Sequence, residues 1–108
     1  MAGHYQVSLT APSLDEAARL GRSAVENRLA ACAQVFGPIA STYWWEGEVR
    51  SAEEWSCQLK TTRALLRRLT ESLRAAHSYD VPEIVAVPID DGDPAYLGWI
   101  EGETRSDP

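Results

Sequence analysis

The chain has 108 residues, the length of one domain with one core, and its 44% apolar and 24% charged residues are the balance of a folded rather than a disordered protein. A formal net charge of −6 argues against nucleic acid, whose recognition draws on Lys and Arg contacts to phosphate, and leaves no basic helix for a membrane surface. No apolar run approaches a membrane span, and the opening MAGHYQVSLT lacks a basic region followed by an apolar one, so a cytoplasmic protein without membrane or nucleic-acid partners is expected.

His4 to Thr10 alternates, with Tyr5, Val7 and Leu9 on one side and Gln6, Ser8 and Thr10 on the other, which predicts a half-buried strand. APSLDE then starts a helix: Ser13 is a natural N-cap, and Glu16 three residues on completes a capping box. At 100° per residue, Leu14, Ala17, Ala18, Gly21, Ala24, Val25 and Leu29 form one stripe, whose small residues allow close packing on a sheet.

AACAQVFGPIASTYWW is rich in β-formers and predicts one long strand, bent or bulged at Gly37-Pro38. Glu46-Gly47 turns the chain and EVRSAEEWSCQLKTT returns, with Trp55, Cys57 and Leu59 alternating against Glu54, Ser56, Gln58 and Lys60. Together the arms make a hairpin of about 30 residues, long against strands of about 5–6, which would overhang a small domain. Neighbouring strand residues face opposite ways, so one of Trp44 and Trp45 is expected in the core and the other against a second surface.

A second helix is expected from near Thr62, with Leu65, Leu66, Leu69, Leu73 and Ala76 inward, ending at HSYDVP before Pro82. EIVAVPI is apolar at consecutive positions and reads as a strand covered on both faces. Asp93 as N-cap and Pro94 at the first helical position open a short last helix, AYLGWIE, and TRSDP reads as frayed. The DDGD run, Asp90 to Asp93, lacks the spaced ligands of a calcium loop and is a turn with a helix cap.

The order β-α-β-β-α-β with a terminal helix predicts an α+β, ferredoxin-like sandwich spanning 1–108 as one domain, with two helices on one sheet face and the other face open. A bare face, a protruding hairpin and surplus tryptophans point to sheet-mediated oligomerisation.

LTAPS, RLAACAQV, STYWWEGEV, LKTT, HSYDVPEIVAVPI and GDPAYLGWI, in that order from Val7 to Ile100, resemble the CutA divalent-cation tolerance family. The resemblance implies a tight homotrimer with PII-like architecture, in which the hairpins lie on neighbouring subunits and Trp44 and Trp45 sit at the trimer interface. It implies tolerance of divalent metals, copper above all, and no established catalysis. His77-Ser78-Tyr79-Asp80 departs from the His-Pro-Tyr-Glu usual in that family.

The soft or borderline donors are Met1, His4, Cys32, Cys57 and His77, with His4 placed at a mobile terminus, and no two histidines or cysteines stand at a short metal-binding spacing. A Cu(II) or other divalent-cation site is therefore expected to be assembled by the fold, with Cys32 and His77 as its metal ligands because both lie in the family-like blocks. No cofactor is required. Lys60, Tyr79 and Glu83, in the same blocks, are expected to line an inter-subunit pocket for a small polar ligand. Two other classes are weaker: a small-molecule enzyme using that pocket, for which no nucleophile–base pair is legible, and an RNA-binding domain of the same strand order, which the acidic charge opposes.

Overall fold

The protein's structure, a computed structural model, describes residues 3–104. The alternating stretch forms β1, His4–Ala11, with Val7, Leu9 and Ala11 fully buried. Ser13 caps α1, Leu14–Glu26, its hydroxyl accepting the Glu16 N–H at 3.1 Å. The buried face of α1 is Ala17, Leu20, Gly21 and Ala24 with Glu16 at its start, so the stripe lies slightly round from its expected course; Leu20 joins the core and Leu14 stays 52% exposed. Gly21 is where the helix comes closest to the sheet. A Cβ there would stand 2.9 Å from Ala33 Cβ and 3.0 Å from Cys57 Sγ.

β2, Cys32–Trp45, and β3, Glu48–Thr62, form the long hairpin. Its two-residue turn, Glu46-Gly47, takes φ 51° and 80°, the left-handed pair that matches strand twist. The ladder shifts register between Phe36, opposite Ser56, and Ile39, opposite Glu54, so Gly37-Pro38 is the expected irregularity.

The second helix starts later than the leucine pattern suggests. A 3-10 turn, Arg63–Leu65, precedes α2, Leu66–Ala76, which buries Leu69 and Leu73 and ends on His77. β4, Ile84–Ile89, and α3, Pro94–Glu103, complete the chain, and Asp93 caps α3 by accepting the Tyr96 N–H at 3.0 Å. Thr104 is buried at the end of α3 rather than frayed, and the rest of the expected frayed tail, 105–108, lies outside the described residues.

The sheet runs β2-β3-β1-β4 with antiparallel neighbours throughout, the split βαβ order of an α+β, ferredoxin-like fold. Val7, Leu9, Cys57 and Leu59 face the helices and share one core with Ala17, Leu20, Leu69 and Leu73. Three expectations need correction. Among the described residues β4 is an edge strand paired only with β1, and Val85 and Val87 are 50% and 56% exposed, so it is not covered on both faces. The second sheet face is not bare either: α3 packs against β3, and Cys32, paired with Lys60 on the side away from Leu59, approaches Tyr96 of α3. Finally, neither tip tryptophan fills the core. Trp44 is 73% and Trp45 40% exposed, because the hairpin carries both past the last helix-covered row of a molecule 45 × 26 × 21 Å across.

Candidate functional site

A cluster of buried polar side chains lies where α2 ends. The α2 stripe that buries Leu69 and Leu73 runs on to His77, whose side chain is fully buried. Its Nε2 stands 2.7 Å from the Thr10 carbonyl, an acceptor only, so Nε2 carries the hydrogen and donates. Its Nδ1 then holds a lone pair, and the Tyr79 backbone N–H donates to it at 3.0 Å. Glu16 reaches the same place from α1. Its carboxylate accepts the Ser78 N–H at 2.9 Å and lies 3.4 Å from His77 Nδ1.

The capping box is therefore only half formed: Ser13 caps, while the Glu16 side chain ties α1 to the segment after α2. Burial works to raise the Glu16 pKa, but the backbone and hydroxyl of Ser78, with the nearby Arg19, outweigh it and hold the carboxyl below its ordinary value. Tyr79 packs its ring 4.9 Å from that of His77 and donates its hydroxyl to Glu54 at 2.9 Å. Burial first, then the Glu54 hydrogen bond and negative neighbours, pushes the Tyr79 phenol up to about 12.

The expected metal ligands do not meet within the chain. Cys32 lies in the row of Lys60 and Gln6, whereas His77 binds the carbonyl of Thr10, four residues along β1 and so about 13 Å away along the strand. His77 also has no nitrogen to offer a metal unless it gives up Thr10 or Tyr79. Among the described residues no three His, Cys, Asp or Glu side chains gather as a metal would require. The donors among the described residues of a single chain thus do not fit a closed metal site.

Cys32 is half-buried, with its Sγ 3.5 Å from the Tyr96 hydroxyl; that contact, together with burial, pushes the phenol up to about 12. Tyr96 stacks on Trp99 with ring centroids 5.5 Å apart. His4 is not at a loose terminus but in β1, its Nε2 2.7 Å from the Glu101 carboxylate. Cys57 is buried, and burial raises its thiol to about 11. Met1 lies outside the described residues.

The expected pocket residues are likewise spread out. Lys60 donates to Gln34 at 3.2 Å in the Cys32 row, Tyr79 sits beside Glu54 beyond the end of β1, and Glu83 is exposed just before β4. Glu16 and Glu54 were the members of the polar cluster that the pattern did not single out. Glu16 looked like a capping partner, and Glu54 looked like one more outward acid on an alternating strand.

A family model described as CutA1 divalent ion tolerance protein matches residues 5–103. The chain is 42% identical over 99 residues to "Protein CutA 1, chloroplastic" of Oryza sativa, covering 92% of this chain and 56% of that one. It is 40% identical over 98 residues to the divalent-cation tolerance protein CutA of Archaeoglobus fulgidus, covering 91% and 95%. The chain thus spans little more than half the length of its plant relatives, 56% and 55%, and nearly all of the archaeal one. It superposes on the crystal structure of CutA1 from Oryza sativa with a TM-score of 0.93, at 40% identity, covering 98% of this chain and 97% of that one. The structure described as the periplasmic divalent cation tolerance protein CutA of Archaeoglobus fulgidus gives 0.91, at 38% identity and 94% and 99% coverage. With a family model matched along nearly its whole length and relatives of this similarity, the chain belongs to the CutA1 divalent ion tolerance family.

Proposed function

We propose that the protein is a cytoplasmic, non-catalytic divalent-cation tolerance protein that works as a homotrimer of PII-like architecture and takes up copper in the assembled form. The observation that carries this reading is the hairpin tip. Trp44 and Trp45 are 73% and 40% exposed at the end of strands that outrun their own core, and aromatic surface of that kind is what an obligate interface buries. The names of the relatives supply divalent-cation tolerance.

Within this reading the Cys32 thiol is the soft donor offered to copper, and its partners come from another subunit, since among the described residues its own chain brings it no second nitrogen or sulfur ligand at bonding distance. His77 serves the fold rather than the metal, because both its nitrogens are engaged. Lys60, Tyr79 and Glu83 contribute to a small-ligand pocket only across a subunit seam.

Native mass spectra with and without added Cu(II) test it. The expected result is a trimer that binds copper at fixed stoichiometry and loses it in Cys32→Ala. A monomer overturns the assembly, and graded uptake indifferent to Cys32→Ala overturns the copper site.

A further inference from the structure

Glu54 is 7% exposed, yet no Lys, Arg or His of the described chain comes within 4.0 Å of its carboxylate. One oxygen, Oε2, accepts the Tyr79 hydroxyl at 2.9 Å. The other accepts no hydrogen bond from the described residues, and since no side-chain oxygen sealed from solvent is left without a partner among them, it keeps a path to the surface. A carboxylate this deep with one neutral donor is costly unless a cation joins it.

The surroundings say which cation. Glu54 is the first β3 residue past the last β1 pair, Ala11 with Trp55, so no strand covers that side of it. Opposite it, across the β2–β3 ladder, is Ile39. One carboxylate and one phenol that donates to it are too few oxygen donors for a divalent metal, which wants several. They suit a nitrogen cation, whose N–H groups pair with the carboxylate while its carbon stem lies along Ile39, the cross-strand partner.

We infer that Glu54, backed by Tyr79, is the receptor for one ammonium or guanidinium group. That group belongs either to a free amine-bearing molecule or to a basic side chain of a second copy of the chain. The site is built from the atoms of one chain and does not depend on copper uptake.

The test titrates ethylguanidinium chloride into the full-length protein at constant ionic strength, following the backbone amide signals of 52–56 by NMR, with sedimentation run in parallel. Saturable one-site binding that weakens about tenfold in Glu54→Gln but persists in Tyr79→Phe establishes the site and a free ligand as its occupant. No ethylguanidinium binding, but weaker self-association in Glu54→Gln, assigns the site to a basic side chain of the second copy. If binding and self-association are both indifferent to Glu54→Gln, the inference is overturned. Should Glu54→Gln fail to fold, Glu54→Asp, which withdraws the charge by one methylene, must show the same loss or the inference fails.

Discussion

The Glu16 carboxylate and the Ser78 backbone N–H meet at 2.9 Å across sixty-two residues of sequence, joining the first turn of α1 to the segment that follows α2. A charge-assisted bond in a part-buried place contributes about 1–3 kcal/mol, and removing its acceptor strands the Ser78 N–H. Glu16→Ala is expected to lose that amount at neutral pH, read by urea unfolding. The pH dependence has a definite sign. Since the folded-state pKa of Glu16 lies below the ordinary 4.5, its contribution is present above that value and is lost as pH falls through the folded value. Glu16→Gln keeps an oxygen for Ser78 and should flatten the acid limb of the stability profile below about pH 4.5. An acid limb unchanged in Glu16→Gln would show that other carboxylates carry it.

The two thiols should differ sharply in reactivity. Cys57 has no exposed surface and burial raises it to about 11, so little thiolate exists at neutral pH and reagent cannot reach it; Cys32 is half-buried beside Tyr96. An aromatic disulfide reagent should therefore titrate at most one thiol in the native protein and two in denaturant. Two thiols reacting natively would contradict the packing of Cys57 under α1.

Gly21→Ala probes the closest approach of α1 to the sheet. The added methyl would stand 2.9 Å from Ala33 Cβ and 3.0 Å from Cys57 Sγ, both on well-packed strands, so α1 must lift. A loss of about 1–3 kcal/mol is expected, larger than the gain in helix propensity that alanine brings, with a lower thermal midpoint. A more stable variant would mean that the helix can shift without disturbing the core.

For the hairpin tip, Trp44→Ala with Trp45→Ala is expected to weaken self-association while leaving far-UV circular dichroism nearly unchanged, because neither side chain supports the core of its own chain. Sedimentation and thermal melting at several concentrations measure this. Unchanged association and melting in the double variant would remove the tip from any interface.

Most of the fold was legible because it rests on local chemistry: alternation in Val7 and Leu9, the Ser13 and Asp93 caps, the Glu46-Gly47 turn, the break at Gly37-Pro38. What escaped depends on neighbours that no single stretch contains. The apolar run in β4 looked doubly covered, yet among the described residues only one flank of that strand is paired. His77 was a candidate ligand because it lies in a family-like block; what the pattern could not show is that Thr10, sixty-seven residues away, and the nearby Tyr79 backbone engage its two nitrogens. The alternation put Glu54 on the outward side of β3, yet it is buried while Glu53 is exposed, with the Tyr79 hydroxyl on its carboxylate.

The extra residue between Phe36 and Ile39 sets the orientation of everything beyond it. Before it, the even-numbered residues of β2, such as Phe36 opposite Ser56, point away from α1 and α2; after it, odd-numbered ones do, beginning with Ile39 opposite Glu54. The parity inversion is inherited down the arm to the tip, where Trp45 opposite Glu48 lies on the side of Ile39, and Trp44 opposite Val49 on the other. Deleting one residue at this point would leave the same aromatic pair at the same turn with their sides exchanged. The handedness of the tip is thus written eight residues before it, in a step of the ladder that touches neither tryptophan.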